Sequence, residues 1–328
     1  MIHFETRAAK PRVFRITPDL IAAAKQRSQQ DVATSLGESW NNLSLLAEAT
    51  GLVTAIDLLT DPKFPKLSLT EAAPNLRWIH VTGAGIEPLL PLDWLPPQVT
   101  LTNNSGVHAE KMRESGLMLL LMLHGRLPAI ASNQRKARWQ QLFSPSIRGR
   151  TALIVGVGDM GGAVAKAARE LGLRVLGVRQ SGAPHPDVDQ MYRPDDIDVI
   201  LPLADFVVCA VPLTTDTATL FDRRRFALMK KDAGFINIGR AGSVDHDALT
   251  DALNSGALSG AIIDVYDPEP LPATSPLWQV DNLVMLPHVS SDDEDEYLPK
   301  TLDLVFENIA RLRQDRPLLN VVDRSRGY

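Results

Sequence analysis

Cysteine is almost absent: Cys209 is the only one in 328 residues. A single thiol excludes a disulfide framework and a thiolate metal cluster, and it suits a reducing compartment. Positive charge is not in excess either. Lys and Arg number 34 against 39 Asp and Glu, a net charge of −5, so there is no global basic field to hold nucleic acid or anionic lipid. The one basic cluster, Arg223-Arg224-Arg225 with Lys230-Lys231, has only Phe226 interleaved and reads as a solvated helix face. Long apolar runs are also missing. The longest unbroken one, 117–123, has seven residues, against about 20 needed to span a bilayer. The opening MIHFETRAAKPR mixes acid and base without an apolar stretch, so no secretory signal is expected. His3, His80, His108, His124, His185 and His246 show no metal-ligand spacing, and His-Glu-x-x-His and Gly-x-Ser-x-Gly do not occur. No metal is expected. What is present is a chain 45% apolar and 22% charged. At about 150 residues per domain it can build two domains with sizeable cores. The expectation is a soluble, cytoplasmic protein with neither nucleic acid nor membrane as partner.

There is no internal repeat and no low-complexity tract. In the first hundred residues the runs 53–59, 77–81 and 99–102 read as strands, separated by Asp61-Pro62, Gly83-Ala84-Gly85 and Pro96-Pro97. Residues 108–127 read as a helix. Its apolar half is apolar nearly all round, which predicts burial. From Thr151 the pattern sharpens. Strands are predicted at 151–155, 174–178, 206–210, 234–238, 261–265 and 283–286, and helices at 160–171, 223–230, 245–255 and 296–313. Short apolar strands alternating with helices predict an α/β fold with a parallel, doubly wound sheet.

The strand at 151–155 runs directly into Gly156-Val-Gly158-Asp159-Met160-Gly161, and a helix follows. Alone, Gly-x-Gly-x-x-Gly is a weak signal; between a strand and a helix it is the dinucleotide fingerprint. Gly156 permits the tight turn, Gly158 removes a side chain where pyrophosphate approaches, and Gly161 lets the helix pack on the strand. The N–H groups of the helix start face the anion. The second strand ends Val178-Arg179-Gln180-Ser181. An NAD site places Asp or Glu here for the ribose 2′-hydroxyl. A guanidinium instead pairs with a 2′-phosphate, helped by the Ser181 hydroxyl. The reading is NADPH (NADP(H)) preferred, with NAD(H) as second choice.

Three further strand ends carry chemistry: Arg240 in Ile236-Asn-Ile-Gly239-Arg240-Ala-Gly242, Glu269 in Asp264-Val-Tyr-Asp-Pro-Glu269-Pro270, and His288 in Leu286-Pro287-His288. Ligands of open α/β sheets bind outside the carboxyl ends of the strands, so these three converge on the rim that holds the glycine loop. Together with Val81-Thr-Gly-Ala-Gly-Ile86, Val211-Pro-Leu-Thr214 and Ala261-Ile-Ile-Asp264, the set resembles the D-isomer-specific 2-hydroxyacid dehydrogenase family. The likeness runs from that first loop to the terminal Gly327-Tyr328, and is strongest to the glyoxylate/hydroxypyruvate reductases.

The resemblance implies a Rossmann domain, residues 105–291, inserted in a smaller flavodoxin-like α/β substrate domain made of 1–104 plus 292–328, with a cleft between them and a homodimer. It implies NADP(H)- or NAD(H)-dependent reduction of small 2-keto acids to D-2-hydroxy acids. His288 would be the general acid, histidine's ordinary pKa of about 6.5 lying near working pH. Glu269 would stabilise its imidazolium. Arg240 would pair with the substrate carboxylate and polarise the carbonyl. The N–H groups of Ala84 and Gly85 would take the other side of the carboxylate. Asp264 would hold the nicotinamide amide, with Ile238 under the ring, Gly239 would also bind the cofactor, and Val211, Pro212 and Thr217 would line the adenosine half. Trp139 would border the partner's substrate pocket or fill an interface. After His288, Asp292-Asp-Glu-Asp-Glu296 is expected to open the last helix, at the positive end of its dipole. Two rivals stand beside this reading: an NAD-linked dehydrogenase of another hydroxyacid, and a nucleotide-sensing corepressor on the same fold. The complete Arg/Glu/His set argues against pure sensing.

Overall fold

The chain begins with a strand, β1 (Ile2–Thr6), whose five residues are all buried. It pairs in parallel with β2 (Thr34–Glu38) and with β3 (Gly51–Thr54), and β4 (Trp78–Val81) and β5 (Thr100–Thr102) extend the sheet, giving the order β2-β1-β3-β4-β5. The computed structural model describes residues 1–324; Gly327-Tyr328 and the end of the 292–328 segment lie outside the described residues. Two compact units form, one from Met1–His108 with the described residues from Asp292 onward, the other from Ala109–Ser291.

In the first unit the Pro18–Ser28 and Tyr297–Arg313 helices pack on each other. Ile21 and Ala24 from one helix and Leu302, Val305, Phe306 and Ile309 from the other join Ile2, Phe4 and Trp78 of the sheet in one core. Thr17 caps the first helix, its Oγ1 accepting from the Leu20 N–H at 3.4 Å. The sequence pattern misread part of this unit. The run 53–59 is strand only to Thr54; Ile56–Leu59 is a helical turn. Asp57, a poor strand residue, sits in its first turn, and Leu58 and Leu59 turn inward. β1, β2 and the Pro18–Ser28 helix were not anticipated. The sequence of β2, TSLGE, has no apolar alternation to detect. The acids 292–296 do not form the first turn of the last helix, which starts at Tyr297; they make the turn before it, where Asp293 Oδ1 accepts from the Asp295 and Glu296 N–H groups at 3.0 and 2.8 Å.

The second unit is a seven-stranded, wholly parallel sheet. Its strands are β6 (Thr151–Val155), β7 (Arg174–Val178), β8 (Gln190–Tyr192), β9 (Phe206–Cys209), β10 (Ala233–Asn237), β11 (Leu258–Ile263) and β12 (Leu283–Met285), in the order β12-β11-β10-β9-β6-β7-β8. The order reverses beside β6, which makes a topological switch point there. Helices Ala109–His124 and Asp159–Glu170 contribute Met112, Leu120 and Val164 to the core on one face. Helices Arg223–Leu228 and His246–Asn254 contribute Phe226 and Leu249 on the other. Gly116 sets the first pair's spacing, because a Cβ there would lie 3.1 Å from Ala167 Cβ and 3.3 Å from Val164 Cα.

The helix predicted over 108–127 ends at His124. Gly125 and left-handed Arg126 (φ 56°) break it, and a second helix, Leu127–Arg135, follows. Nor is its apolar half wholly buried: Leu119, Leu120 and Leu123 face the core, whereas Met118 and Leu121 remain 44% and 47% exposed. Only one side of the helix meets the sheet and its neighbour. Among the described residues no single helix is long and apolar enough to cross a membrane.

Candidate active site

The carboxyl edge of the second sheet carries the glycine loop at its middle. Gly156 follows β6 with φ +99°, and a Cβ there would lie 2.6 Å from Ala210 O, so only glycine fits. A Cβ at Gly161 would lie 2.0 Å from Gly156 O, which is how the helix start comes so near the strand. At Gly158 the opposite holds, for a Cβ would meet nothing within 4 Å. Open room therefore lies in front of the Asp159–Glu170 helix N-terminus, whose first-turn N–H groups suit an anion. Asp159 and Met160 open that helix. A groove of about 800 Å³ runs past this point, lined among others by Gly158, Asp159, Lys166, Arg179 and His185. This arrangement fits a phosphate-bearing dinucleotide.

On one side of the loop, Arg179 follows β7. Its Nε donates to Ser181 Oγ at 3.0 Å, and that oxygen also accepts from the Ala183 N–H at 3.2 Å. Arg179 lines the groove with Ser181 bonded to it, and Gln180, between them in sequence, is exposed. On the other side, after β9, Val211 is buried and Thr217 staples its loop: Oγ1 donates to Pro212 O at 2.6 Å and accepts from the Thr214 N–H at 2.8 Å. The loop after β10 touches this one backbone to backbone, since a Cβ on Gly239 would lie 2.7 Å from Val211 O. Ile238 is buried in the same core as Ile154.

The arginine, glutamate and histidine singled out in the sequence follow the ends of the next three strands. Arg240 Nη1 donates to Gly239 O at 2.8 Å. Asn237, fully buried, fixes this turn: its Oδ1 accepts from the Gly239 N–H at 3.1 Å and its Nδ2 donates to Arg240 O at 3.2 Å. Past β11, Glu269 Oε1 accepts from the Tyr266 N–H at 2.8 Å. Its Oε2 lies 2.8 Å from His288 Nδ1, with the two side chains 36% and 49% exposed.

His288 sits past β12 in the left-handed region, at φ +55°, a backbone state that needs support in a residue other than glycine. Asp264 supplies the support. Its Oδ1 accepts from the Val289 N–H at 2.9 Å, and its Oδ2 accepts from the Ser290 N–H at 3.1 Å and from the Ser290 hydroxyl. Ser290 O in turn accepts from Ser115 Oγ at 2.5 Å. Burial pushes the Asp264 carboxyl above its ordinary pKa, and the hydrogen bonds from Ser290 and Val289 oppose that shift. Tyr266 ties the two strand ends together, its hydroxyl lying 2.9 Å from Ile263 O and 2.8 Å from Leu286 O. Burial raises its pKa as well, so it stays a donor.

The sheet therefore brings Arg240, Glu269 and His288 to three neighbouring strand ends on the same carboxyl edge as the glycine loop. Asp264 is buried, with the 289–290 backbone on both its oxygens. Ala84 and Gly85 lie in the loop after β4 of the first unit. Trp139 stands 96% exposed past the Leu127–Arg135 helix. Among the described residues no group of three His, Cys, Asp or Glu side chains is placed to hold a metal. Sequence reasoning missed Asn237, Tyr266 and Ser290 as supports. The only signal was their place inside or next to the quoted motifs.

Comparison with known proteins identifies the family. Residues 117–290 match the family described as D-isomer specific 2-hydroxyacid dehydrogenase, NAD binding domain. The glyoxylate/hydroxypyruvate reductase B of Citrobacter koseri is 32% identical over 250 residues, 74% of this chain and 77% of that protein. A D-isomer specific 2-hydroxyacid dehydrogenase of Xanthobacter autotrophicus, solved with NADPH and MES, superposes with a TM-score of 0.82 at 26% identity, covering 100% of this chain and 99% of that one. An NADPH-dependent glyoxylate/hydroxypyruvate reductase of Sinorhizobium meliloti, solved with NADP and sulfate, gives 0.80 at 26% identity, covering 100% and 99%. The chain belongs to the D-isomer specific 2-hydroxyacid dehydrogenase family and is an NAD(P)-dependent oxidoreductase.

Proposed function

We propose that this protein reduces small 2-keto acids of the glyoxylate and hydroxypyruvate kind to D-2-hydroxy acids, using NADPH in preference to NADH. The observation that carries the reading is the 2.8 Å contact between His288 Nδ1 and Glu269 Oε2 at the strand end next to Arg240. Names of the relatives and the NADP-bound neighbours support the substrate and cofactor class.

With Nδ1 engaged by Glu269, the Nε2 of His288 is the nitrogen that gives a proton to the keto oxygen. Glu269 stabilises the imidazolium before transfer and keeps the ring in one orientation. Both side chains reach solvent, so the proton is replaced from water. Arg240 pairs with the substrate carboxylate and stabilises charge growing on the carbonyl oxygen. The Ala84 and Gly85 N–H groups take the carboxylate's other side. When bound, NADPH supplies the hydride to the keto carbon. Gly156, Gly158, Asp159, Met160 and Gly161 would hold its pyrophosphate, and Arg179, Gln180 and Ser181 its 2′-phosphate. Val211, Pro212 and Thr217 would line the adenosine half, and Ile238, Gly239 and Asp264 the nicotinamide half. The inserted segment 105–291 serves the nucleotide and the chain ends 1–104 with 292–328 serve the substrate. Exposed Met118, Leu121, Ile130, Trp139 and Phe143 support a homodimer through this apolar surface, with Trp139 bordering the partner's substrate pocket. The cytoplasm is the matching compartment.

Steady-state rates over a panel of 2-keto acids with each cofactor test the reading. The expected ranking puts glyoxylate and hydroxypyruvate with NADPH first. Turnover confined to NADH, or confined to larger keto acids, would replace it.

A further inference from the structure

The loop of residues 82–86 in the first unit is held in an unusual way. Three successive carbonyls are anchored. Thr82 O accepts from the Tyr297 hydroxyl at 2.6 Å and from Asn104 Nδ2 at 3.0 Å. Gly83 O accepts from the Asn104 N–H at 3.0 Å, and Ala84 O from Asn103 Nδ2 at 2.7 Å. None of the N–H groups of Gly83, Ala84, Gly85 and Ile86 donates to a partner among the described residues. Gly83, Ala84 and Gly85 are half-buried, so these donors are open to solvent or to a ligand, and successive unengaged backbone N–H groups are a recurrent means of binding an anion.

The anchors support one another. Thr301 Oγ1 donates to Tyr297 O at 2.7 Å and accepts from Asn104 Nδ2 at 2.8 Å, which joins the two residues that hold Thr82. Tyr297, Asn103, Asn104 and Thr301 are all buried. The Tyr297 ring is fixed edge-on against Phe14 (centroids 5.1 Å apart) and beside His108 (4.6 Å). Burial raises the Tyr297 pKa, so the hydroxyl keeps its proton and remains a donor.

We infer that Tyr297, Asn103 and Asn104 are positioning residues for the substrate carboxylate. They hold the loop through its carbonyls so that its N–H groups stay free for the anion. The inference rests on the reading that the Ala84 and Gly85 N–H groups receive that carboxylate. An intramolecular hydrogen bond has a net worth equivalent to roughly a 2- to 13-fold change in an equilibrium constant. Tyr297→Phe keeps the ring packing and removes one anchor, and Asn103→Ala removes another. Each is expected to raise the KM for glyoxylate and the inhibition constant of oxamate, an unreactive carboxylate, by about 3- to 10-fold. The kcat and the KM for NADPH should stay within about twofold, a split that general loss of packing would not give. Unchanged keto-acid KM and oxamate constants in both variants, at near wild-type Tm, would overturn the inference; so would NADPH and keto-acid constants that rise together. Hydrogen–deuterium exchange of the 83–86 amides in the NADP-loaded wild type separates this from the reading beneath it. Oxamate should protect them. Absence of protection would overturn both, whereas protection with unchanged kinetics in the variants would overturn the positioning role alone.

Discussion

Two loops of this molecule are fixed in opposite senses. In the second unit, the chain after β12 is gripped by its N–H groups: the Asp264 carboxylate accepts from Val289 and Ser290. In the first unit, the loop after β4 is gripped by its carbonyls, with Tyr297, Asn103 and Asn104 as donors. The first grip presents a side chain, His288; the second leaves a row of backbone donors. The grips match the ligands proposed for them. Moving a proton needs a titratable side chain, whereas holding a carboxylate needs N–H groups, which backbone supplies without side-chain entropy.

The largest effect should come from removing what the first grip presents. His288→Asn keeps a residue that tolerates left-handed backbone and removes the acid. The kcat for hydroxypyruvate is expected to fall by about 10²–10⁴-fold with the dissociation constant of NADPH unchanged by fluorescence titration. Next comes the grip itself. Asp264→Ala leaves two backbone N–H groups without acceptors at about 1–3 kcal/mol each. The kcat should drop by an order of magnitude or more and Tm by several degrees, while Tyr297→Phe spares kcat. The contrast between these two variants is the sharpest form of the comparison.

Arg179→Asp lies outside both grips. It should raise the KM for NADPH by about 10- to 100-fold, as loss of a charge-assisted hydrogen bond allows, and leave the KM for glyoxylate unmoved. A change in the glyoxylate constant would show that the groove and the loops are not independent.

The smallest effect concerns pH. Beside the loop after β4, His80 is fully buried, and burial pushes its pKa down to about 4. Unfolded, it titrates near 6.5, so acidification favours the unfolded chain between those values; stability falls as pH drops through 6.5 and levels off near 4. The contribution is about 1 kcal/mol at pH 5.5. Asp264 in the second unit has the opposite sign, because its raised pKa means that acidification relieves a buried charge. Exchange of β4 amides should therefore rise between pH 7 and pH 5.5 more than exchange at β11, measured with correction for the intrinsic rate.

The two units also differ in how far the sequence exposes them. In the second, the strands near 151–155, 174–178, 206–210 and 261–265 were legible, because buried parallel strands are short continuous apolar runs with glycine at the required turns. Arg240, Glu269 and His288 were legible as strand-end residues next to a fingerprint. The first unit was not so open. β2 has no alternation, the 53–59 run fits strand and helix equally until Asp57, and the anchors of the 82–86 loop come from residues 103, 104 and 297. Their partners are main-chain carbonyls, that of Tyr297 lying 215 positions away along the chain, and a carbonyl leaves no residue type to recognise. Asp264 was legible as a residue and not as a clamp, since its partners are again backbone.

The central claim is that His288 delivers a proton while NADPH reduces a 2-keto acid to the D product. The most direct test incubates the wild type and His288→Asn with NADPH and hydroxypyruvate, follows cofactor oxidation, and determines the configuration of the glycerate formed. The wild type should consume NADPH one to one with D-glycerate, and the variant should form almost none. No NADPH consumption, an L product, or a variant as fast as the wild type would contradict the account.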